Sequence, residues 1–199
     1  MLHLYFQRTR RRFYMKFIDH SNLTDKHAYL GASKYHWLNY DDNKFIETYR
    51  KSQAQQLGTE IHAFAAKCIE LGQRLPKSKK TLNMYVNDAI SYGMTPEQVL
   101  YYSEFAFGTA DSITFDGDLL RIHDLKTGTT PAHMEQLLIY TSLFCLEYDI
   151  EPRDIDVELR IYQSNAINVF TPALDDIVPV MDKIVYFDDL LRKLKEEEE

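Results

Sequence analysis

The feature that most constrains the fold of this 199-residue chain is a pair of strand-like segments that meet at Asp116-Gly117. Residues 110–115 and 119–126 both carry β-compatible side chains, and Asp followed by Gly is typical of a two-residue hairpin turn. The segments therefore predict an antiparallel hairpin. Because side chains alternate along a strand, this hairpin also decides which residues share a face of the sheet.

Two registers of the hairpin are open, and both bring the same polar side chains together. With residues 116–117 as the loop, Asp111 lies diagonal to Asp124; with residues 117–118 as the loop, it lies directly opposite. In both registers Asp111, Asp124 and Lys126 share one face. The apolar members of that face, nearer the turn, are Ile113, Phe115, Leu120 and Ile122.

This arrangement of two acids and a lysine predicts a metal site. Two carboxylates that close on each other repel unless a cation or a proton lies between them. Mg²⁺ or Mn²⁺, which prefer oxygen ligands, would suit Asp111 and Asp124. Lys126 could then bind a phosphate and stabilise developing negative charge. The competing interpretation is a structural ion pair between an aspartate and Lys126, with the other aspartate solvated.

The rest of the chain predicts an α/β fold. The expected order is helix, three strands, helix, strand, followed by a last helix. The fourth strand arrives after a helical crossover, which favours a parallel neighbour and hence a mixed sheet flanked by helices. The expected helices are 44–71, 81–91, 132–148 and 174–195, and the strands outside the hairpin are 101–107 and 156–162.

The composition of the chain limits how many domains it can form and where in the cell it is expected. Residues 1–14 differ from the rest and are expected to be an extension, with Met15 as a candidate start and one domain over 15–199. No apolar run reaches the roughly 18 residues of a membrane span, so we expect a cytoplasmic protein. A net charge of −7 argues against polyanion binding over the whole surface but leaves a local basic groove open.

Four short motifs in order resemble the PD-(D/E)XK nuclease superfamily, and most of all its RecB-type exonuclease branch with phage-encoded and CRISPR-associated members. The motifs are residues 58–62 (GTEIH), 108–111 (GTAD), 124–128 (DLKTG) and 136–140 (QLLIY). The resemblance implies the αβββαβ restriction-endonuclease-like core of that superfamily. It also implies a metal-dependent DNA exonuclease of recombination, repair or phage DNA processing, in the host cytoplasm if phage-encoded.

The same resemblance assigns roles to individual residues. It implies a Mg²⁺ or Mn²⁺ site in which a histidine and a backbone carbonyl join the two acids. It also implies a catalytic lysine, and a last motif that positions either this lysine or the DNA backbone. The implied metal ligands are His62, Asp111, Asp124 and the Leu125 carbonyl, and the implied catalytic residues are Asp111, Asp124, Lys126, Gln136 and Tyr140. Glu104 is a further candidate ligand, with a solvated edge acid as its competing interpretation.

Departures from the family leave alternatives open. Iron–sulfur members need four cysteines, and this chain has only Cys68 and Cys145, so no such cluster is expected. The chain lacks a phosphate-binding G-x-x-x-x-G-K-[ST] motif, so DNA unwinding would need a helicase partner. A recombinase or a single-strand-binding protein is another candidate partner.

The alternative functions are a structure-specific endonuclease and a non-catalytic DNA-binding or assembly subunit.

Overall fold

A computed structural model describes residues 18–24 and 27–198, without the side chain of Leu23. The chain divides into two units, Met1–Tyr49 and Arg50–Glu199. The extension expected at residues 1–14 and the start at Met15 lie outside the described residues. The division into that extension and one domain over 15–199 therefore stays a prediction.

The first unit contains short 3-10 helices and the beginning of a long helix. The 3-10 helices are Ser21–Leu23 and Ala32–Asn39. Helix α1 spans Asp42–Glu70 and continues into the second unit. It begins two residues before the predicted start because the Asp41 carboxylate accepts a hydrogen bond from the Lys44 amide at 2.8 Å, as a helix N-cap does.

The second unit is built on a five-stranded sheet with the order β1-β2-β3-β4-β5. Strands β3 and β4 are parallel, whereas the other neighbouring pairs are antiparallel. The predicted α/β class, the mixed sheet and the parallel fourth strand are therefore confirmed. The strands are β1 Thr95–Ser103, β2 Ala106–Asp116, β3 Leu119–Leu125, β4 Asp156–Gln163 and β5 Ala166–Phe170.

Helices flank this sheet and contribute to two separate apolar clusters. Helix α2 spans Thr81–Ser91, α3 spans Glu135–Tyr148 and α4 spans Leu174–Glu198. None of the described helices combines the length and the apolar character that crossing a membrane requires. One cluster joins α3 and α4 to the sheet and includes Leu120, Ile122, Leu137, Phe144 and Ile177. The other joins α1 and α2 to the ends of β3 and β4 and includes Ala65, Tyr85, Val86, Leu125 and Tyr162.

The strand predicted over residues 101–107 is wrong, because the chain turns there between β1 and β2. Ser103 decides the position of this turn. Its hydroxyl accepts hydrogen bonds from the Phe105 and Ala106 amides and donates one to Asp188 of α4. The partner on α4 is 85 residues away in the chain, so local sequence patterns carry no sign of it.

Two further boundaries differ from the prediction. Helix α3 begins at Glu135 rather than at residue 132, and the Ala132 amide before it donates to the Gln163 side chain at the end of β4. Strand β5 was not predicted. It follows a tight turn in which Ser164 and Asn165 have φ of 50° and 62°, and its side chains are largely exposed, so it lacks an apolar pattern.

The β2–β3 hairpin adopts the second of the two registers. Asp116 pairs with Leu119 and Ser112 pairs with His123, so residues 117–118 form the loop. Of the two loop residues only Gly117 has a positive φ, 67°, which is typical of a turn with glycine in its first central position.

Candidate metal centre

Three acidic residues lie level with one another across β1, β2 and β3. In the β1–β2 ladder, Pro96 pairs with Ser112 and Gln98 pairs with Ala110. Glu97 of β1 and Asp111 of β2 therefore lie opposite each other between these two pairs. The β2–β3 register, continued by one residue beyond Ser112–His123, sets Asp111 beside Asp124. The sheet therefore gathers three carboxylates at one level, one from each strand.

Helix α1 adds a histidine to the first two of these acids. Three potential metal-ligating atoms lie within 4.8 Å of one another, one from each of His62, Glu97 and Asp111. The His62 Nδ1 atom is 3.4 Å from Asp111 Oδ1. The hydrogen bond to Asp111 raises the pKa of His62, and partial burial followed by the charge of Asp111 raises the pKa of Glu97. Carboxylate oxygens suit Mg²⁺ or Mn²⁺, and an imidazole nitrogen this close to them could complete the ligand set of a divalent cation.

Asp124 is the most deeply buried acid of the site, with a relative exposure of 2%. Its Oδ1 accepts a hydrogen bond from Lys126 Nζ at 2.9 Å, whereas its buried Oδ2 has no hydrogen-bond partner among the described residues. Burial, and after it the nearby charge of Asp111, raises the pKa of Asp124. A buried carboxylate oxygen without a partner is rare in native proteins, and a cation, a proton or a water molecule would satisfy it.

Lys126 connects the acids to helix α3. Its Nζ donates to Gln136 Oε1 at 2.8 Å, and Gln136 Nε2 donates to the Tyr140 hydroxyl at 3.0 Å. Gln136 and Tyr140 lie on one side of α3 because they are four residues apart. Three hydrogen bonds in series therefore run from Asp124 through Lys126 and Gln136 to Tyr140.

Two glycines of the sequence motifs allow close approaches around the site. A Cβ atom at Gly108 would lie 2.9 Å from Tyr140 Cε1, and one at Gly58 would lie 2.9 Å from Thr127 Oγ1. Both distances are shorter than ordinary van der Waals contacts. Glycine thus permits α3 to approach β2, and α1 to approach the loop after β3, as closely as they do.

Leu125 contacts the site through its backbone. Its amide donates a hydrogen bond to Asp111 Oδ2 at 2.8 Å, which holds Asp111 against the end of β3. Its side chain is buried in the cluster formed with α1 and α2. The role of its carbonyl as a metal ligand stays a prediction.

The structure brings together every residue that the sequence assigned to the site, and it adds one. His62, Asp111, Asp124, Lys126, Gln136 and Tyr140 are joined by direct contacts, with the Leu125 backbone between them. Glu97 was missed because the first strand was expected only from residue 101. A longer strand paired with β2 would have set Glu97 opposite Asp111.

Glu104, the alternative ligand, is not part of this cluster. It lies in the turn between β1 and β2, where its carboxylate accepts two hydrogen bonds from Lys195 of α4 at 2.9 and 3.0 Å. Its contacts are those of an exposed ion pair.

Comparisons with known protein families, with curated proteins and with solved structures found no match. The chemistry open to the site therefore follows from its own side chains. They are three carboxylates, an imidazole and an ammonium group, with the Gln136 amide and the Tyr140 hydroxyl bonded to them in series.

Proposed function

We propose that this chain is a metal-dependent DNA nuclease that hydrolyses phosphodiester bonds, and that it acts as an exonuclease in recombination, repair or phage DNA processing. The observation that carries the proposal is the state of Asp124. One oxygen of this buried carboxylate is paired with Lys126, while the other has no partner among the described residues, beside a cluster of further metal-ligating groups.

The donor set fits a hard divalent cation. His62, Glu97, Asp111 and Asp124, with the Leu125 carbonyl, would hold Mg²⁺ or Mn²⁺, since these ions prefer oxygen ligands and all but one of these groups supply oxygen. The cation would supply Lewis-acid activation of water and of phosphate oxygens. Burial, and after it the charge of Asp111, raises the pKa values of Glu97 and Asp124, and a bound cation would offset the part that comes from Asp111.

The side chains around the cation have separate tasks in this proposal. Lys126 would contact a non-bridging phosphate oxygen and stabilise the negative charge that develops there. Gln136 and Tyr140 would hold the lysine in place through the hydrogen bonds described above. Because Asp124 also contacts Lys126, the lysine is oriented from two sides before a substrate arrives.

The element order supports the same proposal. A helix, the meander β1–β3, the crossover helix α3 and the parallel strand β4 follow one another, as the restriction-endonuclease-like core requires. The proposal includes DNA as partner, a helicase, recombinase or single-strand-binding protein as a possible second partner, and a cytoplasmic location. It includes no iron–sulfur cluster, because the chain has only two cysteines.

The test compares the wild-type protein with Lys126→Ala on linear and circular duplex DNA in Mg²⁺ or Mn²⁺. Loss of one electrostatic stabiliser lowers a rate by about 10²–10³, so we expect a folded variant that has lost most of its activity on linear DNA. The matched control is Lys67→Ala, since Lys67 is an exposed lysine of α1 that pairs with Glu70. It should digest DNA at the wild-type rate.

The other outcomes would change either the role of Lys126 or the function of the protein. Wild-type activity in Lys126→Ala would mean that Lys126 only forms a structural ion pair. Cleavage of circular DNA would indicate an endonuclease. A wild-type protein that binds DNA but cleaves nothing would be a non-catalytic subunit. Calorimetry of Mn²⁺ binding to Asp111→Asn locates the metal, because unchanged affinity would place it elsewhere.

A further inference from the structure

A cavity of about 310 Å³ lies directly beside the candidate metal centre. Lys126, which pairs with Asp124, also lines this cavity, so the two sites share one residue. The cavity is bounded by α1, the start of α2, the end of β3, the loop after β3 and the turn between β4 and β5. We call it the Lys126 cavity; its lining residues are Ile61, Thr81, Leu82, Leu125, Lys126, Thr127, Gly128, Thr129 and Ser164.

The lining combines apolar and polar groups in a way that suits a nucleotide. Ile61, Leu82 and Leu125 supply aliphatic surface, and four residues supply hydroxyl groups: Thr81, Thr127, Thr129 and Ser164. Among the described residues, Lys126 is the charged member of the lining, and no carboxylate belongs to it. The lining itself therefore presents no negative charge to an anionic ligand with an apolar body.

Two sets of hydrogen bonds hold the walls of the cavity in place. Gln163 Nε2 donates to the carbonyls of Gly128 and Thr130 at 2.8 and 2.7 Å, which fixes the loop after β3. Asn165 accepts from the Thr81 amide at 3.1 Å and donates its own amide to the Thr81 hydroxyl at 2.7 Å. The turn between β4 and β5 is thereby tied to the start of α2. Such a preformed cavity loses little free energy in ordering when a ligand binds.

We propose that the Lys126 cavity binds the nucleotide that adjoins the cleaved phosphodiester. This inference rests on the proposed nuclease function and adds a substrate subsite to it. A ligand phosphate at Lys126 would lie next to the metal centre, while the sugar and base occupy the aliphatic part of the cavity. Small-molecule sites begin at roughly 300 Å³, so the cavity has room for one nucleotide.

The lining residues and the segment just before Thr81 also predict how the nucleotide is recognised. No amide or guanidinium side chain is found among the described residues that line the cavity, and these are the groups that most often read base edges. We therefore expect binding without base preference. The segment before Thr81 carries Lys77, Lys79 and Lys80, and in this proposal these lysines would contact the next phosphate of the strand.

The experiment measures binding of thymidine 3′,5′-bisphosphate to the full chain in Ca²⁺ by calorimetry. This probe is a single nucleotide with a phosphate on each side. Thr129→Trp would fill the cavity from its exposed loop, and we expect it to weaken probe binding at least tenfold. Thr130→Trp is the matched control, because Thr130 is the exposed neighbour that does not line the cavity. It should bind as the wild type does.

A second measurement uses the wild type alone, so it does not depend on the folding of a variant. The abasic sugar bisphosphate, which keeps both phosphates and lacks the base, should bind at least tenfold more weakly than the thymidine probe. Equal affinity for the two probes, or equal affinity of both tryptophan variants, would overturn the subsite.

These results remain distinct from a failure of the nuclease proposal. Binding does not require turnover, so a subsite can be demonstrated in a protein that cleaves no DNA. Conversely, a protein that digests linear DNA while both tryptophan variants bind the probe equally would keep the nuclease function and lose the subsite. In an active protein we expect Thr129→Trp to raise KM for an oligonucleotide while Mn²⁺ affinity stays unchanged.

Discussion

At the scale of single residues, Glu97 stands out because its backbone conformation is unusual for its position. It lies inside β1 and yet has a φ of 50°, a conformation that costs a residue with a side chain about 1–2 kcal/mol. Backbone strain of this kind is often found at functional sites. The carboxylate of Glu97 reaches His62 and Asp111, so the strained residue is also the one that completes the acidic cluster.

This strain predicts an unusual response to glycine. Glu97→Gly removes the steric cost of positive φ but adds the entropy cost of glycine, about 0.5–1 kcal/mol. The free energy of unfolding should therefore stay unchanged or rise by up to about 1.5 kcal/mol, measured by urea denaturation. Mn²⁺ affinity should fall roughly tenfold or more, because a metal ligand is lost.

The matched control is Val99→Gly, two residues further along β1, where Val99 pairs with Thr109 and is about half exposed. It should lower the free energy of unfolding and leave Mn²⁺ affinity unchanged. A Glu97→Gly protein with wild-type Mn²⁺ affinity would exclude Glu97 from the metal centre.

At the scale of elements, the contact between α4 and the β1–β2 turn depends on a few side chains. Ser103 and Asp188 are both 2% exposed, and Asp188 also accepts a hydrogen bond from Arg192 at 2.7 Å. The hydrogen bonds from Ser103 and Arg192 lower the pKa of Asp188. The Ser103 hydroxyl therefore forms hydrogen bonds with both helix α4 and the β1–β2 turn.

Replacing this hydroxyl should destabilise the fold more than breaking the ion pair beside it. Ser103→Ala leaves the Phe105 and Ala106 amides without their acceptor and removes a donor to Asp188. We expect a loss of about 1–3 kcal/mol in the free energy of unfolding. Glu104→Ala breaks only the exposed pair with Lys195 and should cost less than about 1 kcal/mol. Equal losses of unfolding free energy in the two variants would contradict the larger role given to the Ser103 hydroxyl.

At the scale of the whole molecule, the chain carries more acids than bases, and several acids meet in one site. The net charge is −7, and Glu97, Asp111 and Asp124 lie level across three strands. Their mutual repulsion disfavours the folded state when no cation is bound. A cation that binds only the folded chain should therefore raise the melting temperature.

We expect Mn²⁺ at one hundred times its dissociation constant to stabilise the wild type by about 2.7 kcal/mol. For a chain of this size, that corresponds to an increase of roughly 5–10 °C in Tm, measured by calorimetric or fluorescence melting. A chelator should reverse the increase. In Asp111→Asn the increase at the same Mn²⁺ concentration should be largely lost. An equal increase in this variant would indicate that Mn²⁺ binds outside the proposed centre.

The sequence by itself determined the features that depend on neighbours along the chain. The glycine at 117 predicted the hairpin, and α2 spans Thr81–Ser91 as predicted. Alternation along β2 and β3 brought Asp111, Asp124 and Lys126 together before the register was known. These features depend on turn geometry, helix capping and strand periodicity, which act over a few residues.

Only the tertiary structure decided the features that depend on distant partners. It selected between the two hairpin registers, placed the β1–β2 turn through Asp188, and set Glu97 opposite Asp111. It also revealed the walls of the Lys126 cavity, which come from segments up to about 100 residues apart, from Ile61 to Ser164. The physical reason is that pairing between strands and packing of helices on them are contacts between remote segments, and local sequence patterns do not encode which remote segments meet.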